Sequence, residues 1–279
     1  MRTIEAQQIT EAVKNGFIEA AYRLPADVEA ALRSGAVAEE SPVGQAVLQQ
    51  LLQNAAIARE GTYPLCQDTG MAVVFAEVGQ EIYVRGSLEE AIQAGVRQAY
   101  GEGYLRKSVV ADPFLRQNTG DNGPAIIHYQ IVPGDGLTLR LLPKGFGSEN
   151  MSRVFMLKPA AGIEGAKDAV IQAISEAGPN PCPPMVVGVG CGGDFELCAL
   201  LAKKALLRPL GQKSPLPHIA AMEEELLQRA NALGIGPAGL GGRISVLGLA
   251  VETYPTHIAG LPVAVNICCH AARHAVVSL

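Results

Sequence analysis

The stretch MAVVFAEVGQEIYVRGS, residues 71–87, decides how the fold is read. Val73, Val74, Phe75, Ile82, Tyr83 and Val84 are β-branched or aromatic, the side chains that suit a pleated, half-buried surface. The runs MAVVFAEVG and EIYVRGS read as two strands joined by a short turn containing Gly79. The chain before them reads as helix. IEAQQITEAVKNGFIEAAYRL, from Ile4, repeats apolar residues at three- and four-residue steps. Asp27 is placed to cap DVEAALRSG. Ser41 is placed to cap SPVGQAVLQQLLQNAAIARE, with Pro42 at the first helical position.

Downstream the two periods alternate. SLEEAIQAGVRQAYGEG returns to a helix behind a Ser87 cap, and PAIIHYQIVPGDGLTLRLLPKG reads as two strands around a PGDG turn. IEGAKDAVIQAISEAG is an amphipathic helix and PMVVGVG a short apolar strand. The helices DFELCALLAKKALL and PHIAAMEEELLQRANALG follow, the second stopped by Gly234. SVLGLAVETY and PVAVNICC are the last strands. Helices and strands are intermixed, yet neighbouring strands look like antiparallel hairpins. The expectation is an α+β fold with mixed, largely antiparallel sheets flanked by helices. With neither an internal repeat nor a low-complexity linker, residues 1–279 read as a single compact domain.

Composition narrows the function classes. Hydrophobic residues make up 48% of the 279 and charged residues 18%, enough apolar material for a sizeable core and too little charge for disorder. Trp is absent and aromatics are 5%, so that core is aliphatic. A net charge of −5 without clustered Lys or Arg is no footprint for nucleic acid. The N-terminal stretch carries acids and amides through its apolar pattern, unlike a signal peptide, and no run approaches the ~20 apolar residues of a membrane span. A soluble, cytoplasmic protein without a membrane partner is expected. The six cysteines, Cys66, Cys182, Cys191, Cys198, Cys268 and Cys269, read as thiols. None of their spacings makes a CxxC pair or a Cys/His finger, which argues against structural zinc.

Several motifs carry both a bland and a chemical reading. VGVGCGGDFE holds Gly188, Gly190 and Gly193 in a GxGxxG spacing between strand and helix. The acidic residue that a dinucleotide site wants ~20 positions on is missing, so close strand-to-helix packing is the better reading. LRKSVVADPFLRQNTGDNGP, residues 105–124, concentrates Arg106, Lys107, Arg116, Asn118, Thr119, Asp121 and Asn122. A long surface loop accounts for it, although a guanidinium fork also matches a carboxylate. PKGFGSENMS offers a glycine turn that either caps a helix or presents backbone N–H groups to an anion. Cys66 in PLCQDTGM, Cys182 in NPCPP and Cys269 after VNIC fall at element boundaries, whereas Cys198 sits on an apolar helix face. Each alone is more often a buried thiol than a ligand. His257, just before the last strand, reads either as a structural histidine or as a group for acid–base work.

Taken in order, CQDTG (66–70), LRKSVV (105–110), NTGDN (118–122), KGFGSEN (144–150), CPP (182–184), Gly192–Gly193 and CHAAR (269–273) resemble the class I, iron–sulfur fumarate hydratases, whose relatives include L-tartrate dehydratase. The resemblance covers nearly the whole chain. It implies a hydro-lyase carrying a [4Fe–4S] cluster, with Cys66, Cys182 and Cys269 as metal ligands. It also implies Gln67 and Arg106 as substrate-binding residues, and Asp68 and His257 as catalytic ones. Cys191 stands where the family usually has an aliphatic residue, and Phe146 where its loop often has another glycine. Because the longer members continue into a second domain, the chain resembles the separately encoded α subunit. A β subunit in an α2β2 heterotetramer is then the implied partner, a small dicarboxylate the substrate, and the chain alone is expected to have little or no activity. A homodimer of the isolated chain is left open. Within the family the motifs DPFLRQNTGDN and KGFGSEN look more like fumarase, which implies hydration of fumarate to (S)-malate and a place in the tricarboxylic acid cycle. L-tartrate dehydration is the alternative. Two other classes stay on the table, a nucleotide-binding module on Gly188–Gly193 and an electron-transfer iron–sulfur protein with a fourth ligand from Cys191 or Cys268.

Overall fold

A computed structural model describes residues 2–279. In chain order the elements are β1 (Arg2–Glu5), α1 (Ala6–Tyr22), α2 (Ala26–Ala38), α3 (Pro42–Arg59), β2 (Met71–Gly79), β3 (Ile82–Arg85), α4 (Leu88–Glu102), β4 (Ile126–Val132), β5 (Leu137–Lys144), α5 (Phe146–Glu149), β6 (Arg153–Leu157), α6 (Gly162–Ala177), β7 (Met185–Gly193), α7 (Phe195–Ala205), α8 (Pro217–Asn231), β8 (Val246–Thr256), β9 (Leu261–Cys268) and β10 (Ala275–Ser278). The fold is α+β, and its sheets mix parallel and antiparallel pairs. The chain, read from sequence as one domain, gathers into two compact units. One is the segment ending at Pro25 with Ala55–Phe146 and Arg273–Leu279; the other is Ala26–Asn54 with Gly147–Ala272.

The first unit holds a four-stranded sheet in the order β10-β5-β2-β4 and a parallel pair, β1-β3. Ile9, Val13 and Phe17 of α1 and Ile92, Val96 and Tyr100 of α4 pack with Val74, Leu139 and Leu141 of the sheet. Neither expected hairpin forms. β3 pairs in parallel with β1, not with β2. β4 and β5 are separated by β2, which is parallel to β4 and antiparallel to β5. Burial explains the rearrangement. Ala72–Ala76 of β2 are buried on both faces, which suits a central strand, whereas β4 leaves Ile126, Tyr129 and Ile131 exposed at the edge. The PGDG turn crosses the end of β2, where the N–H of Gly79 donates to the carbonyl of Gly136 at 2.9 Å and that of Glu81 to Gly134 at 3.0 Å. A turn signal marks a reversal of the chain and does not name the strand that pairs.

The second unit centres on the sheet β6-β9-β7-β8, in which only β7 and β8 run parallel. α6 and α8 cover one face, with Val170, Ile174, Met222 and Leu226 against Val187, Val189, Val263 and Val265. α7 covers the other. Its approach needs the glycines of VGVGCGG, since a Cβ at Gly188 would lie 2.1 Å from the carbonyl oxygen of Ala202, and one at Gly190 the same distance from that of Cys198. Strand-to-helix packing therefore accounts for the GxGxxG spacing.

Of the expected caps, Ser87 Oγ accepts from the N–H of Glu90 and Ser41 Oγ from that of Gly44, both at 3.2 Å. Asp27 does not cap. It sits inside the first turn of α2, and its carboxylate accepts from the N–H of Leu210 at 2.7 Å. A second carboxylate does similar long-range work. Glu39, 2% exposed, accepts from the N–H groups of Glu40, Ser41, Arg243 and Ile244 at 2.8–2.9 Å. The α2–α3 corner is thereby tied to the strand entry at Val246.

Candidate functional site

The first unit builds the loop Cys66–Gly70 around backbone needs. Gly70 adopts φ +81°, and a Cβ there would lie 2.8 Å from backbone atoms of Pro143 and Lys144, so only glycine fits. Tyr100, buried on α4, donates its hydroxyl to the carbonyls of Thr69 and Gly70 at 2.8 and 2.9 Å. Asn122 Nδ2 donates to the Gly70 carbonyl at 3.1 Å, and Asn122 Oδ1 accepts from the N–H groups of Ser108 and Val109. Thr69 Oγ1 donates to the carbonyl of Arg106 at 3.2 Å. These bonds hold the LRKSVV and NTGDN segments against CQDTG. Three motifs separated in sequence become one surface.

Asp68 is oriented at both oxygens. Oδ1 accepts from the N–H of Gly70 at 3.0 Å and Oδ2 from the N–H of Phe146 at 2.9 Å. The backbone N–H of the KGFGSEN loop at position 146 is therefore spent on Asp68, and the phenyl ring of Phe146 is half exposed. Gln67 and Arg106 are exposed, and Cys66 is half-buried.

Beneath the loop lies Arg273, 2% exposed. Its Nη2 donates to the Asp68 carbonyl at 2.6 Å, while Nε and Nη1 have no partner among the described residues. Burial pushes the Tyr100 phenol well above its ordinary value; the Arg273 charge opposes this and the Asp68 charge adds to it. Arg273 and Tyr100 are the positioning groups that motif reading did not single out. CHAAR contained the arginine, but nothing in its spacing from residue 68 signals a contact across 205 positions.

The second unit carries Cys182 and Cys269. The His270 N–H donates to the Cys182 carbonyl at 3.4 Å, and His270 Nδ1 lies 3.0 Å from the same oxygen, so the two cysteine segments are neighbours. Cys182 is exposed with φ +54°, and Cys269 is half-buried just beyond the end of β9. The other three cysteines lie within regular elements. Cys191 is on β7, its thiol pushed up to about 12 by burial with a further contribution from Cys198. Cys198 is buried on α7, where its Sγ donates to the Phe195 carbonyl at 3.4 Å and burial raises its pKa. Cys268 is buried at the end of β9.

His257 is placed differently. It is exposed in the β8–β9 turn, with Nδ1 accepting from the N–H of Ala259 at 3.1 Å. Register puts it at the far end of the sheet from Cys182 and Cys269. Val186 at the start of β7 pairs with Cys268, whereas Gly193 at its end pairs with Thr256. The structure brings Cys182 and Cys269 together and does not bring His257 to them.

Among the described residues, no three His, Cys, Asp or Glu side chains are gathered closely enough to hold a metal ion. No helix among them is long and apolar enough to cross a membrane.

The family model described as fumarate hydratase (Fumerase) matches residues 10–278. The chain is 42% identical over 276 residues to a protein of Methanocaldococcus jannaschii named as a putative L(+)-tartrate dehydratase subunit alpha, with 96% of each chain covered. It is 34% identical over 270 residues to the L(+)-tartrate dehydratase subunit alpha of Escherichia coli K12, covering 95% of this chain and 89% of the other. The chain of CQDTG, NTGDN, CPP and CHAAR thus belongs to the fumarate hydratase (Fumerase) family and is a hydro-lyase.

Proposed function

We propose that this chain is the α subunit of a [4Fe–4S]-dependent hydro-lyase acting on a small four-carbon diacid, with residues 1–279 forming one family-type domain. The observation that carries the reading is the Cys66–Gly70 loop, in which a thiol, an amide and a doubly anchored carboxylate stand in succession on a scaffold supplied by three further family motifs. The donor set suits the cluster. Cys66, Cys182 and Cys269 lie outside helices and strands, whereas Cys191, Cys198 and Cys268 lie inside them, Cys198 and Cys268 fully buried. Thiolates at three corners of a cube also stand farther apart than the ligands of a single ion. Three such thiolates would hold a [4Fe–4S] cluster with one iron left for substrate, and that iron would supply Lewis-acid polarisation of a hydroxyl.

The chain's own residues do the rest. Gln67 and Arg106 bind the diacid, the guanidinium taking a carboxylate end-on. Asp68, held at both oxygens, presents a fixed acceptor to the reacting carbon skeleton, and His257 serves acid–base work. A β subunit completes the site, a reading that the names of the relatives as alpha subunits support. The assembly is taken as α2β2 and its place as the cytoplasm.

Fumarate hydration to (S)-malate is the leading reaction, on the fumarase-like loops DPFLRQNTGDN and KGFGSEN. L-tartrate dehydration is the second, favoured by the names of the relatives. Anaerobic reconstitution of the two-subunit complex, assayed with fumarate, (S)-malate and L-tartrate side by side, decides. Turnover of tartrate alone discards the fumarase assignment, and turnover of none of them discards both substrate assignments.

A further inference from the structure

We infer that the second unit carries a further binding site, for a small hydroxycarboxylate, in the crevice between α7 and the edge strand β6. The crevice holds about 220 Å³, and every residue that lines it belongs to that unit. None of them is among the site residues named above. The lining is cut back to alanine at Ala199 and Ala202 of α7 and at Ala264 of β9, which leaves the space open. A water takes ~30 Å³ and pockets for drug-sized ligands begin near ~300 Å³, so the crevice suits one small organic acid. The inference does not depend on the hydro-lyase reading.

A polar cluster in the lining sets the chemistry. Asn266, on β9, is 6% exposed. Its Nδ2 donates to Glu149 Oε2 and to Ser152 Oγ, both at 3.2 Å, and Lys203 Nζ donates to Glu149 Oε1. A carboxylate can only accept, so Glu149 fixes which end of the amide is nitrogen. The other end, Asn266 Oδ1, is buried and has no partner among the described residues. A buried carbonyl in that state costs free energy that a donor recovers. Charge selects the donor. Lys203 and Arg153 bring two cations into the lining against one carboxylate, Glu149; Glu176, which pairs with Arg153 at 3.5 Å, lies outside it. A cationic donor is repelled there, whereas an uncharged hydroxyl is not. The same excess of positive charge attracts a carboxylate on the other end of the same small molecule.

Two pairs of acids that differ by a single hydroxyl test this on the full chain, lactate against propionate and malate against succinate. In a methyl NMR titration, lactate and malate are expected to shift the methyl signals of Val154, Ala202 and Ala264 saturably. They should bind about tenfold tighter than propionate and succinate, because an acid without the hydroxyl leaves Asn266 Oδ1 unpaired. Ala199→Leu, at a half-buried helix position, fills the crevice and is expected to abolish these shifts while the far-UV circular dichroism stays that of the wild type. If that variant does not fold, Val154→Phe on the edge strand blocks the crevice from its other wall, and the same loss is required of it. Arg106→Ala, in the first unit, is expected to leave the shifts as they are. Equal binding of all four acids overturns recognition of the hydroxyl. No saturable shift at the three methyls, as when the crevice holds water only, overturns the site, and so does binding that survives in a folded, filled variant. A reconstituted complex inactive on fumarate, malate and tartrate bears on the Cys66–Gly70 loop alone, so the two readings fail separately.

Discussion

Replacing Glu39 by Gln should destabilise the second unit by ~3 kcal/mol without touching the proposed chemistry. The carboxylate is 2% exposed and accepts four backbone N–H groups. Those of Glu40 and Ser41 are local, and water replaces them readily. Those of Arg243 and Ile244, at 2.9 and 2.8 Å, are long-range and fasten two segments about 200 residues apart. Bonds to a charged acceptor contribute ~1.5–3 kcal/mol each, so the two long-range ones alone give ~3 kcal/mol or more. Gln keeps the shape but turns one oxygen into a donor facing donors. Thermal unfolding followed by circular dichroism should show a Tm lower by ~6–12 °C, at ~2–4 °C per kcal/mol for a domain of this size. Burial by itself raises the Glu39 pKa, but the N–H groups of Arg243, Ser41, Ile244 and Glu40 outweigh it and hold the carboxyl below its usual 4.5. A depressed folded-state pKa means that the extra stability is complete above the unfolded value and fades as pH falls through the folded one. The wild-type and Glu39→Gln curves should therefore converge in acid. A Tm loss under ~3 °C at neutral pH, or a difference that widens on acidification, would refute the clamp.

The remaining predictions concern the site. Ser at Cys66, Cys182 or Cys269 should each abolish iron and labile-sulfide incorporation, while Cys191→Ser should retain both in elemental analysis; retention in any of the first three removes that residue from the ligand set. Arg273→Met should leave stability within ~1 kcal/mol, since it removes two unpartnered buried N–H positions along with one good bond, yet should lower kcat ~100-fold by loosening the Asp68 segment. Normal turnover in the folded variant would show that the arginine positions nothing. Gly70→Ala forces a Cβ into backbone 2.8 Å away at φ +81°. It should cost ~3 kcal/mol or more in chemical denaturation, and a neutral result would mean that the loop is softer than its contacts indicate.

Much of this was legible along the chain. The helices α1, α4, α6, α7 and α8 follow the apolar period, because an amphipathic stripe is a local pattern. Ser41 and Ser87 behave as caps for the same reason, since a cap and the N–H it satisfies are three residues apart. The strands were visible, but two hairpins were inferred where β2 inserts between β4 and β5 and where β3 turns to β1. The short strands β1, β6 and β10, four or five residues each, gave too little pattern to read.

By itself, the sequence determined the α+β composition, the family and the order of the motifs, because each is written in local period or in residues a few positions apart. Tertiary structure alone decided which strands pair, that Asp68 spends both oxygens on Gly70 and Phe146, that Arg273 lies under the loop, and that His257 stands ~25 Å along a sheet from Cys269. The physical reason is the same in each case. Strand register and buried polar satisfaction are set by competition among distant segments for the centre of a sheet and for each other's hydrogen bonds, and twelve residues that look close in a sequence run the full length of a strand.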